Sequence, residues 1–416
     1  MLFGSSGIRQ RFDQRLVNTA LAVGAILGEK FPDCIVGTDT RTTSPLLARA
    51  LIAGIAGAGG SARSAGIVPT PTVAYCARTT KAGCMITASH NPEEYNGIKL
   101  FNPDGSSFTQ VQQKAMEASL KNLCWSDWKH QGTESACDAL APHKKAILDE
   151  VSIKSGIRVV LDCGNGAGSV LTPGLLAEVG VHTTCLNCNT TGQFGRPSEP
   201  LKEHLGYVGD MVRKTEAACA VVHDGDADRM MAFDNRGRYI DGDRMLLLLT
   251  EHLGAKKVVT TSDASMMIEE IAEVHRTPVG DAFVSEELLS WGAFGGEPSG
   301  AWIFPQVSYC PDGPFAAALF CEIASGCDVA ERLDAIPVYS VLRESIPHER
   351  ARVVVTALGA TSPTDGIRVA DETGWYLIRA SGTEPKIRIT AEGTTPAAAK
   401  AMIDRAKTHL RQGKTA

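Results

Sequence analysis

The stretch Thr87-Ala88-Ser89-His90-Asn91-Pro92, followed by Tyr95-Asn96-Gly97-Ile98-Lys99, gathers a hydroxyl, an imidazole, two amides and an amine over a short span. It comes directly after the apolar-leaning run Gly83-Cys84-Met85-Ile86. A serine in such company can act as a nucleophile or carry a phosphoryl group, because cationic and hydrogen-bonding side chains surround it. Ser, Asn and Pro are equally ordinary turn residues, so this stretch alone leaves both readings open.

Three other stretches bear on the choice. Asp224-Gly225-Asp226-Ala227-Asp228-Arg229 alternates carboxylates after a strand-like run, and a turn at Gly225 and Ala227 brings the three together on one hard cation. Mg2+ takes oxygen ligands in near-octahedral geometry and usually shares itself with a phosphate. A calcium loop of the EF-hand type is excluded, because Arg229 stands where that loop needs Gly and Asn235 where it needs Glu. A solvated acidic turn is the plain alternative, and the repulsion of three crowded carboxylates works against it. Arg379-Ala380-Ser381-Gly382-Thr383-Glu384-Pro385, with Arg388 beyond, has the chemistry of a phosphate clamp. Guanidiniums make forked contacts, Ser381 and Thr383 donate, and Gly382 lets backbone N–H groups approach; an exposed loop with incidental arginines is the other reading. Gly295-Gly296-Glu297-Pro298-Ser299-Gly300 offers a carboxylate and a hydroxyl suited to vicinal sugar hydroxyls, or an ordinary turn. Gly164-Asn165-Gly166-Ala167-Gly168 lacks the third glycine of a dinucleotide fingerprint, with Ser169 in its place, and reads as a tight strand-to-helix turn.

The elements that must hold these loops follow from pattern. At roughly 100–200 residues per domain, 416 residues predict two to four domains. The composition, 44% hydrophobic and 21% charged, is that of a soluble globular protein. A net charge of −6 gives no reason to expect a nucleic-acid or anionic-membrane surface, and no window reaches the roughly 20 apolar residues of a membrane span. The N-terminus has no signal-peptide pattern, so a cytoplasmic location is expected. Of the twelve cysteines most lie in apolar runs, such as Cys84, Cys163 and Cys219, and read as small hydrophobes; Cys185-Leu186-Asn187-Cys188 has no second pair at zinc spacing. Strand-like runs 34–37, 158–161, 218–222 and 257–260 each lead into small or acidic residues. Helical patterns then begin near Pro45, Ser169 and Ala264, and the alternation predicts α/β domains that share one architecture. Joints are expected at 131–138, at Asn235-Arg236-Gly237-Arg238 and before Ile336-Pro337. The last segment reads as a small α+β domain with strands 366–370, 375–379 and 387–391. Its closing helix has Thr395 as N-cap, Pro396 at the first position, and an apolar stripe of Ala399, Ile403, Ala406 and Leu410.

Taken in order, the Ser89, Asp224–Asp228, Glu297–Gly300 and Arg379–Pro385 loops resemble those of the α-D-phosphohexomutase superfamily. Phe3-Gly4-Ser5-Ser6-Gly7-Ile8-Arg9, Gly37-Thr38-Asp39-Thr40-Arg41 and Thr364-Asp365-Gly366-Ile367-Arg368 look like further landmarks, so the match covers essentially the whole chain. The resemblance implies an α/β fold of four domains around a central cleft: three related α/β domains at 1–134, 135–238 and 239–337, and a smaller α+β domain at 338–416. It implies that Ser89 is the phosphoserine, and that Asp224, Asp226 and Asp228 hold Mg2+ with the Ser89 phosphate. Glu297 and Ser299 would contact sugar hydroxyls. Arg379, Ser381, Gly382, Thr383 and Arg388 would hold the non-transferring phosphate. Arg9, His90, Lys99 and Arg229 would surround the transferred group, with Lys99 the acid/base candidate.

The implied reaction moves a phosphate between C1 and C6 of a hexose through a 1,6-bisphosphate, which also serves as activator. A hexose or hexosamine phosphate is the expected partner, with no nucleic acid or membrane, in a monomer or homodimer. Two departures bear on the sugar. Ala301 stands where many bacterial relatives have histidine, and Asp281, in Arg276-Thr277-Pro278-Val279-Gly280-Asp281, stands where phosphomannomutase/phosphoglucomutase types often do. Both look more like the archaeal-type phosphoglucosamine mutase branch, so glucosamine phosphate is expected ahead of mannose or glucose phosphate. A sugar phosphatase of the aspartyl-phosphate type, built on Asp224 and Asp226, is the remoter alternative, with Asp228 arguing for metal binding instead.

Overall fold

In the computed structural model all residues are described except 1, 5, 6, 155, 338, 363, 382–384 and 413–416. Three times along the chain the same four-strand unit appears. The first has strands Asp33–Thr38, Ser61–Ile67, Ala82–Ile86 and Tyr95–Phe101; the second has Arg158–Asp162, His182–Leu186, Cys219–His223 and Met230–Phe233; the third has Lys257–Thr261, Glu273–Thr277, Phe294–Gly296 and Trp302–Ile303. In each, the first strand lies between the second and third in parallel register, and the fourth joins the third antiparallel. The apolar runs of the first strands explain their central place: Ile35 and Val36, Val159 and Val160, and Val258 and Val259 are all buried, as a strand covered on both faces requires.

This topology decides where chemistry sits. The turn after each third strand leaves the carboxyl edge of the parallel strands, the edge at which open α/β sheets bind ligands. Those three equivalent turns carry Ser89, Asp224–Asp228 and Glu297–Ser299.

Two of the expected joints carry paired structure, and one sequence expectation, the helix from Ala264, is corrected. The polar stretch 131–138 contains strand Glu134–Ala136, which extends the first sheet in parallel alongside Ser61–Ile67; its residues are polar because they form an exposed edge. Asn235–Arg238 is a hairpin turn, since Tyr239–Ile240 pairs back on Met230–Phe233 and the Asp234 carboxylate accepts the N–H groups of Arg236 and Arg238. The helical pattern from Ala264 yields one 3-10 turn, Met266–Glu270. Ser265 caps it, the Glu392 carboxylate takes the Met266 N–H, and strand Glu273–Thr277 follows at once.

The C-terminal segment is an antiparallel sheet of Ser340–Pro347, Lys386–Gly393, Gly374–Ala380 and Ile367–Asp371, in that spatial order, covered by helix Pro396–Gln412. Its helix buries Ala399, Met402, Ile403, Ala406 and Leu410, and Thr395 accepts the Ala398 N–H as N-cap. Strand Ser340–Pro347, absent from the sequence reading, is a half-exposed edge with little apolar signal. One apolar core joins the second and third units around helix Gly313–Gly326, whereas the first and fourth have cores of their own. That helix is apolar over most of its surface, as its burial demands, with Glu322 and Ser325 near its end accepting the N–H groups of Ser152 and Lys154.

Candidate active site

Ser89 is 1% exposed and has φ 50°, a left-handed backbone uncommon outside glycine. Its N–H donates to Thr87 Oγ1 at 2.8 Å, and its Oγ donates to Asp224 Oδ2 at 2.8 Å. The two loops can meet this closely because Gly225 has no side chain: a Cβ there would lie 2.8 Å from the Ser89 carbonyl.

Asp224, Asp226 and Asp228 are buried and converge, with one oxygen of each within 4.8 Å of the others. The left-handed turn at Ala227, φ 55°, folds the segment back to achieve this. Asp226 Oδ2 accepts Thr70 Oγ1 at 2.6 Å and Lys99 Nζ at 2.8 Å, and Lys99 also pairs with Asp228 Oδ2. The opposite oxygens, Asp226 Oδ1 and Asp228 Oδ1, are buried and have no hydrogen-bond partner among the described residues. Buried acceptors are normally satisfied, so two orphaned carboxylate oxygens beside a third carboxylate fit a hard divalent cation.

Burial, reinforced by Asp228 and Asp226, pushes Asp224 well above the usual carboxylate range. Burial acts the same way on Asp226, but the Lys99 charge and hydrogen bond hold it below that range. Lys99 is depressed by burial and raised by Asp226 and Asp228, and the carboxylates win. In this arrangement it is an ammonium that donates to both carboxylates. Burial and then the charges of Arg229, Arg9 and Lys99 drive His90 down to about 2, so its imidazole is neutral; Nδ1 lies 3.4 Å from Ser89 Oγ. Arg9, on strand Ile8–Arg11, reaches Asn91 Oδ1 at 3.4 Å.

The Glu297 loop is fastened to the acidic loop through backbone. Met230 donates to the Gly300 carbonyl at 2.9 Å, Trp302 Nε1 donates to the Met230 carbonyl at 2.8 Å, and Arg229 bridges Ala301. Ala301 is buried in that bridge and contributes through its main chain. Glu297 Oε1 accepts the Gly280 N–H at 2.8 Å and Oε2 accepts Ser299 Oγ at 3.2 Å. Burial, with Asp281 adding and Arg229 opposing, raises Glu297 to about 7.

Arg379 and Arg388 are direct cross-strand partners, and Ser381 is buried at the strand end. They line a cavity of about 490 Å³ whose other walls include Lys114 from the first unit and Phe283 from the third. Gly382 and Thr383 lie outside the described residues.

The structure thus joins Ser89, His90, Lys99, the three aspartates, Arg229, Glu297 and Ser299 through adjacent loops, and sets Arg379, Ser381 and Arg388 on a cavity wall. Sequence reasoning missed Thr70, whose N–H also donates to the Asp226 carbonyl at 2.9 Å, and Ser198, whose Oγ donates to the Ser89 carbonyl at 3.1 Å. The only local sign was Pro69-Thr70-Pro71-Thr72, which marks a helix start and nothing more.

Four regions match family descriptions in succession: phosphoglucomutase/phosphomannomutase alpha/beta/alpha domain I at residues 1–125, domain II at 138–237, domain III at 241–339, and the C-terminal domain at 329–408. A probable phosphoglucosamine mutase of Methanosarcina acetivorans is 42% identical over 415 residues, covering 94% of this chain and 95% of that protein. A phosphoglucosamine mutase of Methanococcus aeolicus is 38% identical over 441 residues, covering 97% of each. Among solved structures, a phosphoglucomutase/phosphomannomutase family protein from Burkholderia thailandensis matches with a TM-score of 0.88 at 23% identity, covering 99% of this chain and 97% of that one.

Proposed function

The chain belongs to the phosphoglucomutase/phosphomannomutase family, and on that premise we propose that it interconverts glucosamine 6-phosphate and glucosamine 1-phosphate through a phosphorylated Ser89. The observation that carries this reading is the Ser89 hydroxyl hydrogen-bonded at 2.8 Å to a member of a convergent aspartate triad. The choice of sugar rests on its phosphoglucosamine mutase relatives.

In the forward direction the bond between phosphorus and Ser89 Oγ breaks as phosphorus bonds to the free sugar hydroxyl, whose proton ends on Oγ, giving a bisphosphate and a free Ser89 hydroxyl that donates to Asp224 Oδ2. After that sugar turns over, Ser89 Oγ attacks the other phosphate, the bond from that phosphorus to the sugar oxygen breaks, and the Oγ proton ends on the sugar oxygen. Asp224, Asp226 and Asp228 would hold Mg2+, which when bound neutralises charge on the transferring phosphoryl group. Lys99 and Arg229 add fixed positive charge beside it, and Arg9 joins them through the Asn91 side of the loop. His90, neutral, offers a hydrogen bond and no charge. Glu297 and Ser299 orient sugar hydroxyls, while Arg379, Ser381 and Arg388 hold the phosphate that does not react, with Gly382 and Thr383 assigned there by their place in the same loop. Phosphoryl transfer asks little covalent chemistry of a protein, so positioning and charge neutralisation carry the catalysis.

The test is a panel of glucosamine, glucose and mannose 1-phosphates compared by kcat/KM, together with intact-mass detection of a phosphoryl group that disappears in Ser89→Ala. Full activity in Ser89→Ala refutes the mechanism. A glucosamine phosphate rate far below the other two refutes the choice of sugar.

A further inference from the structure

Arg41 has no part in the chemistry described so far, yet its guanidinium lies at the heart of the Ser89 loop. It is 1% exposed. Nε donates to Asp39 Oδ2 at 3.0 Å; one terminal nitrogen donates to the carbonyls of Pro92 and Tyr95 at 2.5 and 2.9 Å; the other donates to those of Ser89 and Asn91 at 2.8 and 2.7 Å. A guanidinium has five N–H donors, and these five acceptors use all of them. None remains for a phosphate, so Arg41 is not a substrate contact.

The same network governs the Ser89 backbone from both sides. The Ser89 carbonyl accepts from Arg41, and its N–H donates to Thr87 Oγ1, which in turn donates to Asp39 Oδ2 at 2.7 Å. Asp39 Oδ1 is fixed by the Arg41 N–H at 3.1 Å and Ser44 Oγ at 2.6 Å. A serine at φ 50° persists only where its surroundings over-determine it, and the Asp39–Arg41 pair supplies that constraint. The second unit repeats the device. Asp162 ends its first strand, Arg196 Nε donates to Asp162 Oδ1 at 3.1 Å, and the Arg196 guanidinium donates to the carbonyls of His223 at 2.6 Å and Ser198 at 3.2 Å. His223 directly precedes Asp224, so a buried aspartate–arginine pair stands behind each half of the Ser89–Asp224 contact.

We infer that Arg41 is a positioning residue for phosphoryl transfer, holding the Ser89 loop in the conformation from which Oγ meets Asp224 without touching substrate. This inference rests on the reading of Ser89 as the phosphate carrier. The variants Arg41→Lys, Arg41→Ala and Thr87→Val test it, each checked by circular dichroism for folding and measured for kcat, KM and Ser89 phosphorylation by glucose 1,6-bisphosphate. Arg41→Lys keeps the charge but cannot span five acceptors, so kcat is expected to fall about 100-fold with KM within about threefold of wild type, the signature of lost alignment. Millimolar guanidinium is expected to restore about tenfold of kcat to Arg41→Ala and nothing to Ser89→Ala. Should the arginine variants fail to fold, Thr87→Val removes one link of the network and is expected to show the same split at smaller size. A folded variant with wild-type kcat, or one in which KM alone rises, overturns the inference. A wild-type enzyme inactive on every hexose phosphate fails the parent reading instead, so the two failures are distinguishable.

Discussion

At the scale of single residues, Glu297 joins position to titration most directly. Burial raises its carboxyl to about 7, with Asp281 adding to the shift and Arg229 opposing it. Below that value it is protonated and no longer a charged acceptor for sugar hydroxyls or for the ammonium of an amino sugar; above it, it is ionised. The sign for activity is therefore a rise of kcat/KM through pH 7. A sugar phosphate titrates near pH 6 as well, so the comparison with Glu297→Gln matters: the inflection near 7 is expected to vanish while that of the substrate remains. A pH profile with both inflections intact in Glu297→Gln contradicts the assignment. Thr70 makes the second case. Its Oγ1 donates to Asp226 at 2.6 Å while Lys99 takes the same oxygen, leaving the other oxygen for a cation. Partners that orient a metal ligand are worth roughly 10–100-fold in affinity, so Thr70→Val is expected to weaken Mg2+ binding about tenfold in a calorimetric titration without substrate. Ser89 and the aspartates were legible because each motif packs its chemistry into one turn. Thr70 was not, because its partner lies 156 positions away and nothing local announces it.

At the scale of elements, the central strands were readable and the edges were not. Val159 and Val160, or Val258 and Val259, sit in strands buried on both faces, where apolar runs are dictated by burial. Glu134–Ala136 and Ser340–Pro347 are edges, and an edge strand needs no apolar pattern. The equivalence of the three loops that follow the third strands was equally hidden, since it lies in strand order and not in residue identity. The C-terminal sheet carries its own prediction. Arg379 and Arg388 pair across adjacent strands and line one cavity together with Lys114. An anion in that cavity meets cationic groups from two domains. Inorganic phosphate is therefore expected to raise the melting temperature more than chloride at equal ionic strength, and Arg388→Gln to lose most of that difference. Equal shifts in the two proteins would mean that phosphate is held elsewhere.

At the scale of the whole molecule, the distribution of cores says which parts move together. The second and third units share one apolar core through helix Gly313–Gly326, so they behave as a single body. The C-terminal domain has its own core and meets the third unit through a polar contact: Glu392 Oε2 accepts the Met266 N–H at 2.8 Å, while Trp375 Nε1 of its own sheet donates to the same oxygen at 2.6 Å. That junction is incompletely satisfied. Glu392 Oε1 and two nitrogens of Arg368 are buried and have no hydrogen-bond partner among the described residues, and burial together with Arg276 lowers Arg368 to about 10. Each unsatisfied buried group costs about 1–3 kcal/mol, so a rotation of the C-terminal domain that hydrates these groups is expected to recover part of its own cost. A bisphosphate that turns over inside the cleft would use such freedom, since Arg379 and Arg388 belong to that domain. Hydrogen–deuterium exchange is expected to show 374–393 opening faster than 219–233, with a hexosamine phosphate slowing only the former. Arg368→Leu, which removes the orphaned donors, is expected to slow that opening without ligand. Uniform protection across both segments, unaltered by the sugar phosphate, would mean that the two bodies are one and that turnover of the intermediate requires its release to solvent.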